Sequence, residues 1–146
     1  MFAFPTRVYW EDTDAGGIVY YANYLKFMER ARTEWLRSLG ISQRALKEQT
    51  GGMFVVTDTQ LKYLLPARLD DELSVSAKIV DIGRVSIKIS QEIRLQSPPI
   101  LREALSNQES LVDSPVICQG TICIAWVNAL TLKPGRIPLS LSEKLI

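Results

Sequence analysis

Two aspartates early in the chain, Asp12 and Asp14, have a spacing and a position that suit a catalytic site. They lie in the string Asp-Thr-Asp-Ala-Gly-Gly, which predicts a turn leading into the only long predicted helix. Free backbone N–H groups at a helix start can polarise a carbonyl and stabilise an oxyanion. Gly16 and Gly17 would let a ligand approach the backbone closely. Because an aspartate is normally ionised at neutral pH, Asp14 could act as nucleophile or general base.

The absence of histidine further limits the catalytic mechanisms that this chain could use. None of the 146 residues is a histidine, which excludes Ser-His-Asp and Cys-His hydrolase mechanisms, histidine metal centres and a histidine general base. Any catalysis would have to rely on carboxylates, hydroxyls or backbone dipoles, and we expect no metal and no cofactor. At this point a second interpretation stays open, in which Asp12 and Asp14 are only turn or capping residues.

Charge and composition limit the partners. Seventeen basic and sixteen acidic side chains leave a formal charge of +1, which predicts no nucleic-acid binding. Charged residues interrupt every long apolar stretch, so we expect no membrane span and a soluble, cytoplasmic protein. Cys118 and Cys123 would lie on opposite faces of a strand, and we interpret both as buried free thiols.

A single helix of appreciable length is predicted after the aspartate turn. A short strand is expected over Thr6 to Glu11, the helix begins with Asn23 as its N-cap, and Gly40 ends it. Residues 42–49 could add one or two further turns. Apolar residues recur on one helical face, which we assign to the core: Tyr24, Phe27, Met28, Ala31, Trp35 and Leu39.

The rest of the chain reads mainly as antiparallel strands. Extended segments are predicted over 53–65, 73–79, 85–95 and 116–127, with a hairpin turn at 81–84. Residues 96–115 contain three prolines and a polar centre, and we interpret them as an insertion in a strand connection. The prediction is one α+β domain over residues 1–146, with its helix packed on one sheet.

Three ordered motifs carry a family resemblance. Residues 12–24, followed by Glu29 and Arg32, resemble the signature of the hydroxybenzoyl-CoA thioesterase branch of the hot-dog superfamily, and most of all the Tol-Pal-associated acyl-CoA thioesterases. The likeness continues through Tyr-Leu-Leu-Pro-Ala-Arg-Leu-Asp-Asp at 63–71 and the tail at 132–138. It therefore spans nearly the whole chain.

The resemblance implies a hot-dog fold, in which a curved antiparallel sheet of about five strands wraps one long central helix. It implies hydrolysis of an acyl-CoA, with Asp14 as the catalytic carboxylate and the backbone amide of Tyr21 polarising the thioester carbonyl. Gly16, Gly17, Tyr24 and Arg84 would bind the substrate, Arg84 through the CoA phosphates. Two subunits would join their sheets and form active sites at their interface, and such dimers commonly pair into tetramers.

The sequence departs from the family at two places. Tol-Pal-associated members usually carry histidine where this chain has Tyr21, and residues 96–115 are longer than an ordinary hairpin connection. The main alternative is therefore a non-catalytic module that binds an acyl-CoA or acyl carrier, or a scaffold for envelope or lipid-synthesis partners. Hot-dog dehydratases are discounted, because those enzymes rely on a histidine.

Overall fold

A computed structural model describes residues 1–96 and 114–146 of the chain. The predicted insertion at 96–115 lies outside the described residues except at its ends. The described residues form five strands, three α-helices and one 3-10 turn: β1 (Phe2–Arg7), the 3-10 turn (Trp10–Asp12), α1 (Asn23–Ser38), α2 (Gln43–Thr50), β2 (Gly52–Tyr63), β3 (Glu72–Ile82), β4 (Ser86–Leu95), β5 (Val116–Asn128) and α3 (Leu139–Leu145).

The strands form one antiparallel sheet in the order β1-β3-β4-β5-β2. β1 and β2 occupy its two edges, so among the described strands the long β2 pairs only with β5. The α1 helix contacts β1 and β3 and covers the sheet's inner face. The predicted α+β class is confirmed.

The α1 helix forms because its apolar residues share one face, as the sequence predicts. Gly40, at φ +79°, ends the helix in the left-handed conformation that glycine adopts most easily. Its N–H donates to the Arg37 carbonyl, and the Ile41 N–H donates to the Leu36 carbonyl, which is the Schellman pattern. The buried face of α1 consists of Tyr24, Phe27, Met28, Ala31, Trp35 and Leu36.

One polar side chain interrupts the apolar inner face of β4. Gln91 is fully buried between isoleucines of the same strand. Its Nε2 donates to the carbonyls of Met28 (3.0 Å) and Ser76 (3.1 Å), and its Oε1 accepts from Arg32 Nη1 (2.9 Å). Gln91 therefore joins α1 to β3 and β4 through satisfied hydrogen bonds, which makes its burial tolerable.

Arg32 has a different partner from the one its spacing suggests. Glu29 lies three residues earlier on α1, yet Arg32 is bound to Gln91, and Glu29 Oε1 accepts from Thr33 Oγ1 at 3.1 Å. Burial lowers the pKa of the Arg32 guanidinium, and the charge of Glu29 partly offsets this. Arg32 thus contributes to the helix–sheet contact.

Two predictions near the start of the chain are wrong. The first strand covers Phe2–Arg7 instead of residues 6–11, because it pairs in register with residues 72–77 of β3. Asn23 is not the N-cap of α1: Ala22 takes that position, and the Asn23 side chain donates elsewhere. The α3 helix near the end of the sequence was not predicted, whereas α2 matches the expected short helix.

The buried glutamine gives a stability prediction. Gln91→Ala should lower the free energy of unfolding by about 2–3 kcal/mol, because the half-buried Arg32 loses its acceptor and the packed carboxamide is removed. Urea unfolding followed by circular dichroism measures the change. Gln49→Ala, at an exposed position of α2, is the matched control and should change stability by less than about 0.5 kcal/mol. Equal losses in the two variants would contradict this account of Gln91.

Candidate active site

The aspartate string folds into a miniature hairpin. Asp14 N–H donates to the Ile18 carbonyl (2.9 Å), and Tyr20 N–H donates to the Asp12 carbonyl (2.9 Å). At the tip, Gly17 N–H donates to the Asp14 carbonyl (3.1 Å), and Gly17 has a φ of +78°, which favours glycine. The hairpin places the aspartates just before the start of α1, as the sequence predicts.

The two aspartates of the hairpin have opposite environments. Asp12 is only 3% exposed, and its Oδ2 accepts from the Tyr9 N–H at 2.9 Å, while its Oδ1 has no hydrogen-bond partner among the described residues. Asp14 is exposed, and its Oδ1 accepts from the Gly16 N–H at 2.8 Å. No described residue donates to Asp14 Oδ2. Only Asp14 can therefore present a carboxylate oxygen to a ligand.

Gly16 fits closely beside the carboxylate of Asp14. A Cβ atom added at Gly16 would lie 3.2 Å from Asp14 Oδ1, tighter than an ordinary van der Waals contact. The glycine therefore lets the carboxylate fold back onto the Gly16 N–H. This gives Gly16 and Gly17 local roles in shaping the turn, in addition to the substrate approach predicted for them.

The backbone amide of Tyr21 is available at the helix start. Tyr21 lies between the hairpin and α1, in a turn closed by the Asn23 N–H donating to the Tyr20 carbonyl (2.8 Å). Within the described part of the chain, the Tyr21 N–H donates to no acceptor, and the side chain is 60% exposed. An unpaired N–H at a helix start suits a partly negative oxygen.

A cavity of about 260 Å³ opens beside Tyr21. Tyr63, at the end of β2, closes one side: its hydroxyl donates to the Tyr21 carbonyl (3.3 Å), and the two rings meet edge to face at 6.1 Å. No role was predicted for Tyr63, although it begins the second motif of the resemblance. The walls are mostly apolar and aromatic: Ile18, Val19, Tyr21, Tyr24, Tyr63, Leu64, Leu65 and Pro66.

A larger groove of about 440 Å³ lies on the other face of the sheet. Its walls include Gln60, Lys62, Ser90, Glu92 and Gln119 and none of the residues 12–17. Tyr21 lines the smaller cavity, and the Asp14 N–H donates to the carbonyl of Ile18, another lining residue, so the smaller cavity is the candidate site. Among residues 1–96 and 114–146, no cluster of three or more histidine, cysteine, aspartate or glutamate side chains could hold a metal ion.

Two tyrosines of the cavity wall, Tyr24 and Tyr63, have raised pKa values. Burial raises the pKa of Tyr24, and the hydrogen bond that its hydroxyl accepts from the Ala67 N–H (3.1 Å) partly offsets this. Burial also raises the pKa of Tyr63. Tyr24 is only 4% exposed, so it is a core residue that also lines the cavity wall. Both phenols are therefore protonated at neutral pH and bring no negative charge to the cavity.

The structure does not bring Arg84 to this site within one chain. The hairpin is tied to the segment before β3, where the Val19 N–H donates to the Ala67 carbonyl (2.8 Å). Arg84 lies in the turn after β3, and the 11 residues of that strand span roughly 35 Å. The turn that carries Arg84 therefore lies at the end of β3 away from the hairpin.

The family follows from sequence comparison. The model of the Thioesterase superfamily matches residues 16–100, more than half of the chain. The chain belongs to the thioesterase superfamily. The prediction of a thioester hydrolase is thereby confirmed. Among the described residues, none of the helices has both the length and the apolar character needed to cross a bilayer.

Full-length relatives of this thioesterase support the same assignment. It is 37% identical over 137 residues to the acyl-CoA thioesterase YbgC of Haemophilus influenzae, covering 94% of this chain and 88% of that protein. It is 40% identical over 139 residues to the acyl-CoA thioesterase YbgC of Helicobacter pylori, covering 95% and 96%. The resemblance to this branch is confirmed.

Solved structures show that this thioesterase has the hot-dog fold, as predicted. A probable thioesterase from Bartonella henselae matches with a TM-score of 0.77 and 29% identity, covering 93% of this chain and 98% of that one. A mutant 4-hydroxybenzoyl-CoA thioesterase, complexed with 4-hydroxybenzoyl-CoA, matches with a TM-score of 0.83 at 16% identity, covering 99% and 97%. The second likeness concerns the fold alone.

Proposed function

We propose that this thioesterase hydrolyses an acyl-CoA to a carboxylic acid and free CoA, with Asp14 as its catalytic carboxylate. The observation that carries the proposal is the contrast within the Asp-Thr-Asp string. Asp12 is buried against the Tyr9 N–H, whereas Asp14 is exposed beside a helix start with an unused amide. The names of the relatives, which are acyl-CoA thioesterases, support CoA as the thiol of the substrate.

The Tyr21 N–H would hold the carbonyl oxygen of the thioester. As the carbonyl carbon is attacked, negative charge develops on that oxygen, and a fixed N–H at the helix start stabilises it. The acyl group would then occupy the cavity of about 260 Å³ lined by Tyr21, Tyr24 and Tyr63. Its apolar and aromatic walls suit an uncharged acyl group.

Asp14 has two possible routes to the products. As a nucleophile it would bond to the carbonyl carbon, expel the CoA thiolate and form an anhydride, which water then cleaves to release the acid. As a general base it would take a proton from water while that water attacks the carbon. In both routes the thiolate leaves with the electron pair of the C–S bond and is protonated to free CoA.

We also propose that the working unit is a homodimer joined through β2, with two dimers forming a tetramer. β2 is a 12-residue edge strand that pairs only with β5 among the described strands, and such edges are normally covered. A second chain would also shield Asp14 and Tyr21, which one chain leaves exposed, and could supply Arg84 to the CoA phosphates.

A cytoplasmic location is part of the same proposal. Cys118 and Cys123 are both free thiols, which suits a reducing compartment, although only Cys118 is buried as predicted and Cys123 is partly exposed. Burial raises the pKa of Cys118 to about 11, so this thiol is inert at neutral pH and is not a competing nucleophile.

Of the predictions that follow from this proposal, the first concerns Asp14. Asp14→Asn keeps the shape of the side chain but removes the charge, so kcat should fall by about 100-fold or more, the scale of a lost base or nucleophile. Release of CoA from acetyl-, butyryl-, palmitoyl- and benzoyl-CoA, detected with a thiol reagent, measures this. Asp81→Asn, an exposed aspartate at the far end of β3, should retain full activity. Unchanged kcat in Asp14→Asn would contradict the assignment of Asp14 as the catalytic carboxylate. A wild-type protein that releases no CoA would favour a non-catalytic binding module.

The second prediction separates the backbone of Tyr21 from its side chain. Tyr21→Phe and Tyr21→His both keep the N–H, so kcat should stay within about threefold of the wild type, whereas losing an oxyanion donor costs about 100-fold or more. The same CoA-release assay compares the variants. A loss of about 100-fold in Tyr21→Phe would mean that the hydroxyl takes part in the chemistry.

The third prediction tests whether Arg84 acts across a dimer. Asp14→Asn and Arg84→Ala subunits should each form an enzyme with reduced kcat/KM. After subunits are exchanged by partial unfolding and refolding, a mixed dimer would contain one site with both native residues. Random mixing of equal amounts should then restore about a quarter of the wild-type activity.

Two outcomes would contradict the role of Arg84. No recovery in mixed dimers would mean that Arg84 does not complement the Asp14 of another chain. Undiminished kcat/KM in the Arg84→Ala homodimer would mean that it does not bind CoA at all. Sedimentation equilibrium of the wild type and both variants is the control that dimers are present.

A further inference from the structure

We infer that Asn23 is a positioning residue, whose carboxamide fixes the Tyr21 amide relative to the Asp14 carboxylate. Asn23 Nδ2 donates to the Asp12 carbonyl oxygen at 2.9 Å in a partly buried hydrogen bond. That bond runs from the first residue of α1 to the strand of the hairpin that carries Asp14. The inference rests on the proposed function, in which Asp14 and the Tyr21 N–H act on the same thioester.

Asn23 is not explained by the usual role of asparagine at a helix start. An asparagine N-cap accepts a hydrogen bond from an N–H in the first helical turn. Here Ala22 occupies the N-cap position without a side-chain cap, and Asn23 is already helical. The Asn23 side chain acts as a donor and points back to the hairpin. Its chemistry therefore serves the contact between the two segments.

The Asp12 carbonyl is the point where the two segments meet. It accepts the Tyr20 N–H (2.9 Å) as well as Asn23 Nδ2, so both of its lone pairs are used. Asn23 N–H in turn donates to the Tyr20 carbonyl (2.8 Å), which closes the turn containing Tyr21. The backbone and side chain of Asn23 thus hold this turn from two directions.

Asp12, whose carbonyl accepts the Asn23 side chain, is itself held in place. Asp12 N–H donates to the Tyr9 carbonyl (3.0 Å), and Asp12 Oδ2 accepts the Tyr9 N–H. The Asp12 carbonyl cannot move without breaking these contacts, and Asp14 follows two residues later. The hydrogen bond from Asn23 therefore fixes the start of α1 relative to the Asp12 carbonyl. A misplacement of about 1 Å between reacting groups can cost about 100-fold in rate.

Asn23→Asp is the sharpest variant for testing this role. It keeps the size of the side chain but replaces the donor with an acceptor that faces the Asp12 carbonyl. A negative charge in the first turn is favourable to a helix, so α1 itself should not be weakened. We expect kcat to fall by about 10- to 100-fold with little change in KM, and the melting temperature to stay close to that of the wild type. Asn23→Ala should reduce kcat similarly.

Asn128→Ala is the matched control. The Asn128 side chain also bonds to backbone, accepting the N–H groups of Leu130 (2.8 Å) and Thr131 (3.0 Å), but it lies at the end of β5 distant from Tyr63. Its loss should lower the unfolding free energy and leave kcat unchanged. Wild-type kcat in Asn23→Asp would overturn the inference, as would equal losses of kcat and stability in Asn23→Ala and Asn128→Ala.

The experiment distinguishes this inference from the proposed function. If Asp14→Asn is impaired while Asn23→Asp is not, Asp14 remains catalytic and the positioning role is wrong. If Asp14→Asn is unimpaired, the proposed function has failed, whatever Asn23→Asp does. Acetyl-CoA and benzoyl-CoA serve as the substrates in every arm, so that a loss confined to one acyl group also counts against a general positioning role.

Discussion

The packing of α1 against the sheet is the constraint on which the rest of the structure depends. Its apolar face is buried, and each large side chain there contributes about 1.5–3 kcal/mol relative to exposure. Because the helix is held along its whole length, its first turn has a fixed position. The hairpin at residues 12–20 can then be tied to that turn by single hydrogen bonds. If the helix were mobile, those hydrogen bonds could not hold Asp14 and the Tyr21 N–H in a fixed relative position.

Buried polar groups refine this packing at two places with different consequences. Gln91 has its hydrogen bonds satisfied by α1 and β3, so it sets the register of helix on sheet at little cost. Asp12 is less fully satisfied, since Oδ1 has no partner within the described ranges. An incompletely satisfied buried carboxylate costs stability. Its retention beside the candidate site is understandable if the Asp12 backbone anchors both the hairpin and Asn23.

Much of the fold could be predicted from periodicity alone. The α1 helix and β4 have long, regular patterns, and Gly40 ends α1 through its φ of +79°. The misplacement of β1 has a physical cause: Phe2–Arg7 is a strand because it pairs with β3, some seventy residues away. Local pattern contains no information about that partner. The α3 helix, with seven residues, is too short for periodicity to identify.

The candidate site was only partly predictable for a similar reason. The Asp-Thr-Asp string indicates a turn beside a helix, and that placement is local. The inequality of Asp12 and Asp14 is not visible in the string, because it depends on which carboxylate the folded hairpin turns inward. The donor role of Asn23 was missed because a sequence shows an asparagine at a helix start without showing whether its side chain accepts or donates. Tyr63 reaches Tyr21 only when β2 ends beside α1.

Solvent exposure links the chemistry to assembly. A backbone N–H stabilises an oxyanion far better where water is excluded, because water weakens electrostatic interactions several-fold. In one chain Asp14 and Tyr21 both face solvent, so water must be displaced by the substrate, by another chain or by both. Arg84 lies at the opposite end of β3 from the segment that binds the hairpin, roughly 35 Å away along the strand. In the proposed dimer, the Arg84 of one chain would therefore complete the site that Asp14 and Tyr21 of the other chain form.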